Sequence, residues 1–126
     1  MKKMKKVLCI LLALGMIASL AACGSAQKEN QALSEIKKSG VLTVALSPDF
    51  SPMEFVDSSK DGQQSYVGFD VSLAKYLAEE LGVQLEIQAM SFDACQTAVS
   101  SGTIPISISG YSWTETRAEN YELSDY

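Results

Sequence analysis

Gly68-Phe69-Asp70-Val71-Ser72-Leu73-Ala74-Lys75-Tyr76-Leu77-Ala78-Glu79-Glu80-Leu81-Gly82, continued by Val83-Gln84-Leu85-Glu86-Ile87-Gln88, decides the fold class. Val71, Ala74, Leu77, Ala78 and Leu81 recur at helical spacing. Asp70 reads as the N-cap and Gly82 as the terminating residue. Val83, Leu85 and Ile87 then alternate with polar residues, the period of a strand. Upstream, Val41-Leu42-Thr43-Val44-Ala45-Leu46 is the continuous apolar run of a strand buried on both faces. Ser47-Pro48-Asp49-Phe50-Ser51-Pro52 is an irregular loop at its carboxyl end. Met53-Glu54-Phe55-Val56 and Tyr66-Val67 pair as a hairpin around a polar turn. Downstream, residues 92–101 form a second helix with Ala94, Cys95, Ala98 and Val99 inward. Ile104, Ile106 and Ile108 make a further strand, with Pro105 near its start. Helices set between strands imply a mostly parallel α/β sheet with right-handed crossovers.

The stretch Ile106-Ser107-Ile108-Ser109-Gly110-Tyr111-Ser112-Trp113-Thr114-Glu115-Thr116-Arg117 closes this pattern. A strand ending in glycine lets a ligand approach the backbone. The planar guanidinium of Arg117 is suited to grip a carboxylate with two parallel bonds. Ligands of open α/β sheets sit beyond the carboxyl ends of strands. The stretch therefore reads as a receptor for a small anionic group. Trp113 is either an aromatic facing a lid or an anchor of the turn.

The chain has 126 residues and no histidine. That suits one small domain and excludes imidazole metal sites and Ser–His or Cys–His catalysis. Neither a metal nor a cofactor is expected. The first 22 residues hold four of the ten cations, so the remainder carries six against 15 acids, a net charge of −9. Nucleic acid is therefore excluded as a partner. Lys2, Lys3, Lys5 and Lys6 precede an apolar run over residues 7–20, too short for a membrane span and right for a signal peptide. The run ends in Leu20-Ala21-Ala22-Cys23-Gly24-Ser25, which resembles the bacterial lipobox. That resemblance implies cleavage after residue 22, acylation of Cys23, and two-signal anchoring to the outer face of the cell membrane. Residues 24–31 read as a polar tether and residues 32–38 as a short amphipathic helix. Cys95 is left alone, a small buried hydrophobe with no disulfide partner.

Three stretches together resemble family 3 of the extracellular solute-binding proteins, the polar amino-acid receptors of ABC importers. They are the Gly68-to-Gly82 signature, the loop Phe50-Ser51-Pro52-Met53-Glu54-Phe55, and Ser109-to-Arg117 followed by Leu123-Ser124-Asp125-Tyr126. Ser72 replaces the usual acid, Pro105 the usual Asp, and Ser112 a threonine. The resemblance implies a periplasmic-binding-protein-like (type II) α/β lobe, mostly parallel with flanking helices and incomplete. Residues 1–22 would be the lipoprotein signal peptide, and 23–40 the lipidated Cys, tether and short helix. Residues 41–126 would be the N-terminal part of lobe 1, with lobe 2 absent.

It also implies site roles. Phe50 and Phe92 flank the ligand side chain, and Ser47 makes a polar contact. Gly110 offers a backbone group, Ser112 a hydroxyl, and Arg117 clamps the α-carboxylate. The expected ligand is an amino acid, the expected partner an ABC permease, and the expected state a monomer without enzymatic activity. A lone lobe is expected to bind weakly, since half of the enclosing surface belongs to the other lobe. The rival readings are a split lobe acting as a surface sensor or interaction lipoprotein, and a dehydratase-like enzyme. The enzyme would need an acid/base pair, for which Asp49, Glu54 and Glu115 are candidates by residue type.

Overall fold

The computed structural model describes residues 24–124, with side chains from residue 31 onward. The expected signal peptide, Cys23, Asp125 and Tyr126 lie outside the described residues. The chain divides into two units at Glu35 and Ile36. In the first, the described residues 24–35 belong to helix α1, Gly24–Ser39, whose last turn lies in the second unit. The polar stretch expected as a tether is thus helical. Its Ala, Gln, Lys and Glu residues are good helix formers, and no proline interrupts them. Lys37 and Lys38 sit in the last turn, where they complement the helix dipole.

The second unit is built on strand β1, Val41–Leu46, the centre of a three-stranded parallel sheet. β5, Gln84–Ala89, runs along one side with Val41 opposite Gln84 and Leu46 opposite Ala89. β6, Ile106–Ser107, runs along the other, with Val44 opposite Ile106. Leu42, Val44 and Leu46 face helix α2, Phe69–Leu81, and pack with Val71, Ala74 and Ala78. Ala45 faces the other way, against Cys95 of helix α3, Phe92–Ser100, and Ile104. The run of apolar residues in β1 is thereby explained: both faces are covered. Cys95 is buried and free of any disulfide, as its spacing implies.

A second, antiparallel sheet carries β2 (Asp49–Phe50), β3 (Glu54–Val56) and β4 (Tyr66–Val67). The expected hairpin is therefore three-stranded. Gln63 mimics a strand at the free side of β5: its side-chain amide donates to Ile87 O and accepts from Ile87 N, at 3.0 and 2.8 Å. The strand expected over Ile104, Ile106 and Ile108 keeps only Ile106 and Ser107 in the ladder. Pro105 cannot donate to a ladder, and Gly110 ends the run. One helix was not legible at all: α4, Glu115–Asn120, whose N-cap Thr114 accepts from Arg117 N at 3.2 Å.

Two helix ends matter for the site. Gly82 ends α2 in the left-handed conformation, as its place after the apolar stripe predicts. Asp70 is not the N-cap of α2. Gly68 occupies that position, at φ +126°, and a Cβ there would collide with the Met53 carbonyl. The first N–H groups of α2 are satisfied from the β2–β3 loop instead, Phe69 N donating to Pro52 O and Asp70 N to Met53 O. The Asp70 carboxylate is thus released to bond elsewhere.

Candidate functional site

The carboxyl ends of β1, β5 and β6 converge on one hollow of about 320 Å³, lined by Asp49, Phe50, Glu54, Phe92, Ser109 and Gly110. Each lining residue arrives by a traceable route. Phe50 comes from the turn after β1 and is exposed. Phe92 opens α3 just after β5, fixed by the Ser91 N-cap. Ser109 and Gly110 follow β6. Gly110 has φ +56°, and a Cβ there would press on the Phe50 ring at 3.0 Å. Only glycine allows ring and backbone this close.

Beneath the hollow lies a buried polar node. Ser109 Oγ donates to Glu54 Oε1 at 2.8 Å and accepts from Ser47 N at 3.0 Å. Gly110 N donates to Asp70 Oδ2 at 2.7 Å. Glu54 is 1% exposed and Asp70 4%. Burial pushes the Glu54 carboxyl up to about 7, Ser109 opposes the rise, and Asp70 and Asp49 reinforce it. Glu54 points inward from β3, and Val56, next but one, returns to solvent where the strand ends.

Beside the hollow stands a cationic stack. The Phe92 and Tyr111 rings lie 4.8 Å apart at 36°. The Arg117 guanidinium lies 5.5 Å from the Phe92 centroid and 5.6 Å from that of Tyr111, within cation–π range. Arg117 Nη1 donates to Ser112 O at 2.8 Å, and the rest of its donor fork extends beyond that bond. Tyr111 is itself anchored. Its hydroxyl is 2.8 Å from Ser107 Oγ, which donates to Ala45 O at 2.9 Å. Since the serine proton is committed to Ala45, the tyrosine donates. Burial raises the Tyr111 hydroxyl to about 12, so it stays protonated at every physiological pH.

Of the residues expected at the site, Phe50, Phe92 and Gly110 line the hollow together. Arg117 and Ser112 join them through Phe92, whose ring serves both groups. Ser47 does not line it. Ser47 is buried, its hydroxyl turned to Asp49 Oδ1 at 3.1 Å and its N–H spent on Ser109. It props the wall from behind. Sequence reasoning missed Tyr111, Ser109 and Asp70 as members of the constellation, and took Glu54 only as an acid by type. A smaller hollow of about 110 Å³ lies along β6, its lining including Gln96, Val99, Pro105, Tyr111 and Arg117. It is lined by no buried acid. Among the described residues no group of acids and cysteines could hold a metal ion.

A profile described as bacterial extracellular solute-binding proteins, family 3, matches residues 42–126. The arginine-binding extracellular protein ArtP of Bacillus subtilis is 37% identical over 122 residues, covering 97% of this chain and 44% of its own length. The cyclohexadienyl dehydratase of Pseudomonas aeruginosa is 33% identical over 94 residues, covering 75% of this chain and 34% of its own. Among solved structures, the arginine-bound form of domain 1 from TmArgBP is 46% identical with a TM-score of 0.62, covering 68% of this chain and 64% of that one. The chain spans less than half the length of both curated relatives. The fold is accordingly a type II periplasmic-binding-protein lobe in part.

Proposed function

This chain belongs to the bacterial extracellular solute-binding proteins, family 3, and on that premise we propose that it captures an amino acid at the hollow beside Arg117 and hands it to an ABC permease. The observation that carries the reading is the half-buried Arg117, whose guanidinium lies over the Phe92 and Tyr111 rings, Phe92 being also a wall of the aromatic, acid-floored hollow. In this reading Arg117 takes the α-carboxylate, Phe50 and Phe92 sandwich the side chain, and Gly110 and Ser112 add polar contacts. Ser47 acts indirectly, through Ser109. The protein binds and releases its ligand without changing it.

A cationic side chain fits best. Asp49 and Glu54 line the hollow, Asp70 acts on Glu54 from behind it, and the arginine-binding relatives support the choice. The arginine-bound domain 1 of TmArgBP also bears on the expectation that a lone lobe binds weakly: there, one domain suffices to hold the ligand. Residues 41–126 would form the first part of one lobe, closed by a second lobe in the whole assembly. Export follows the leader over residues 1–22, and acylated Cys23 would tether the protein to the outer face of the membrane.

Calorimetric titration of the chain with each of the twenty amino acids tests the binding role. Saturable binding led by arginine and lysine, lost in Arg117→Ala, supports it; no binding by any of them refutes it. Fatty-acid labelling that persists in Cys23→Ala would refute the anchor. One observation favours a second reading. A buried carboxyl poised near neutrality is what a general acid needs, and a dehydratase is among the relatives. Release of water from a cyclohexadienyl acid by the wild-type chain, absent in Glu54→Gln, would establish that reading instead.

A further inference from the structure

Tyr111 has no part in the amino-acid reading, yet it meets the residue on which that reading depends. It does not line the larger hollow. Its ring packs on the cluster of Ala45, Cys95 and Ile104, in which Ala45 and Cys95 are fully buried. Its hydroxyl bonds Ser107 Oγ at 2.8 Å, and Ser107 in turn donates to Ala45 O in β1 at 2.9 Å. Tyr111 is therefore tied to the central strand by its body and by its tip, and close packing leaves the ring little room to turn.

Nothing comparable fixes Arg117 through its own backbone. It projects from α4, a six-residue helix with no buried residue. Such a helix sets the Cα and leaves the long side chain several rotamers. The guanidinium nevertheless has a defined place, 5.6 Å from the Tyr111 centroid and 5.5 Å from that of Phe92, with Nη1 on Ser112 O at 2.8 Å. One hydrogen bond is a pivot, and two ring contacts restrict the swing about it. The means of holding matters as much as the place. An acid would hold a guanidinium through its N–H edge and occupy the donors that a ligand needs. Among the described residues no acid forms an ion pair with Arg117. Aromatic rings attract the charge by cation–π contact and leave the remaining edge donors open.

We propose that Tyr111 is a positioning residue for the carboxylate clamp: anchored to β1 through Ser107, its ring holds the Arg117 guanidinium while the edge donors stay free for the α-carboxylate of the ligand. The proposal rests on the amino-acid reading of Arg117. Phe92 cannot fill this role alone, because the same ring walls the larger hollow and faces whatever side chain enters it. Tyr111 stands outside that hollow, so it keeps the clamp in place whichever amino acid is bound. The ring is the part that acts on Arg117, and the hydroxyl only steadies the ring. Phenylalanine should therefore replace Tyr111, and an aliphatic residue of similar bulk should not.

Arg117 is the sole arginine of the chain, so its Nε–H gives one identifiable signal in a nitrogen–proton correlation spectrum. In the wild-type chain without ligand, ring current should displace that signal from the position of a free arginine side chain. Tyr111→Phe should keep the displacement, and Tyr111→Leu should lose much of it. Calorimetric titration with L-arginine should then show affinity weakened roughly three- to tenfold in Tyr111→Leu, the worth of a cation–π contact, with Tyr111→Phe within about twofold of wild type. An undisplaced Arg117 signal in the wild type, a measurement that needs no variant to fold, overturns the inference. So does a Tyr111→Leu chain that binds arginine as the wild type does, or a Tyr111→Phe chain as weak as Tyr111→Leu. Each of these leaves the amino-acid reading standing. Absence of arginine binding by the wild type overturns both.

Discussion

Ser109 and Gly110 are held from beneath by carboxyls that water does not reach, whereas Arg117 is held from the side by two aromatic rings and stays half exposed. The two arrangements flank the same Phe92 ring, yet they answer to different physics. In the buried node each hydrogen bond exists because an unmade one would be costly in a low dielectric. Its members are fixed to each other and shape the backbone. In the stack, the charge remains hydrated on one side, and only the stem and one N–H are committed. A group built that way contributes little to folding and keeps its donors for a ligand. The node is scaffold for the wall, and the stack is the part of the wall that acts.

Substitutions should separate the two. The largest effect is expected for Asp70→Ala, which strands the Gly110 N–H and removes the charge opposite Glu54. A charge-assisted bond of this kind is worth about 1.5–3 kcal/mol. Urea denaturation should show a loss of that size, with ligand affinity falling too as the Gly110 wall loosens. Arg117→Ala should do the reverse. Affinity for an amino acid should drop by roughly 10- to 100-fold, the value of a lost charge-assisted pair, with stability changed by less than about 0.5 kcal/mol. Equal losses of stability in both variants would erase the distinction drawn between node and stack. Gly110→Ala should fall between them. The methyl group meets Phe50 at 3.0 Å and the φ of +56° disfavours it, at a cost of about 1–2 kcal/mol. The smallest effect belongs to Tyr111→Phe. It removes the hydroxyl that donates to Ser107, for about 1 kcal/mol in thermal denaturation, and keeps the ring beneath Arg117. Its ligand affinity should stay within about twofold of wild type.

The same contrast separates what was legible in the sequence from what was not. β1, α2 and β5 announce themselves because periodic burial against a neighbour leaves a local pattern. Gly82 does so because a left-handed turn needs glycine. Arg117 and the two phenylalanines could be placed near one another once the strand order was known, since parallel strands bring their carboxyl ends together. Asp70 reads from sequence as the N-cap, and the structure gives that place to Gly68. Its helix is capped by carbonyls of Pro52 and Met53, far along the chain, and no local propensity records that contact. Ser47 was read as a contact by its place after β1, but a buried serine satisfies its nearest partners first. α4 escaped notice because Thr114, Glu115 and Arg117 were read for ligand chemistry. They also form an N-cap with an acid in the first helical turn.

The account stands or falls on whether the hollow takes an amino acid, and one residue reports on it directly. Trp113 is the only tryptophan, exposed on the segment that joins Ser112 to the N-cap of α4. Its emission should shift saturably as L-arginine is added to the chain at neutral pH, and Arg117→Ala should abolish the shift while leaving the empty-state spectrum unchanged. An emission that no amino acid alters in the wild type, with calorimetry equally silent, would contradict the account.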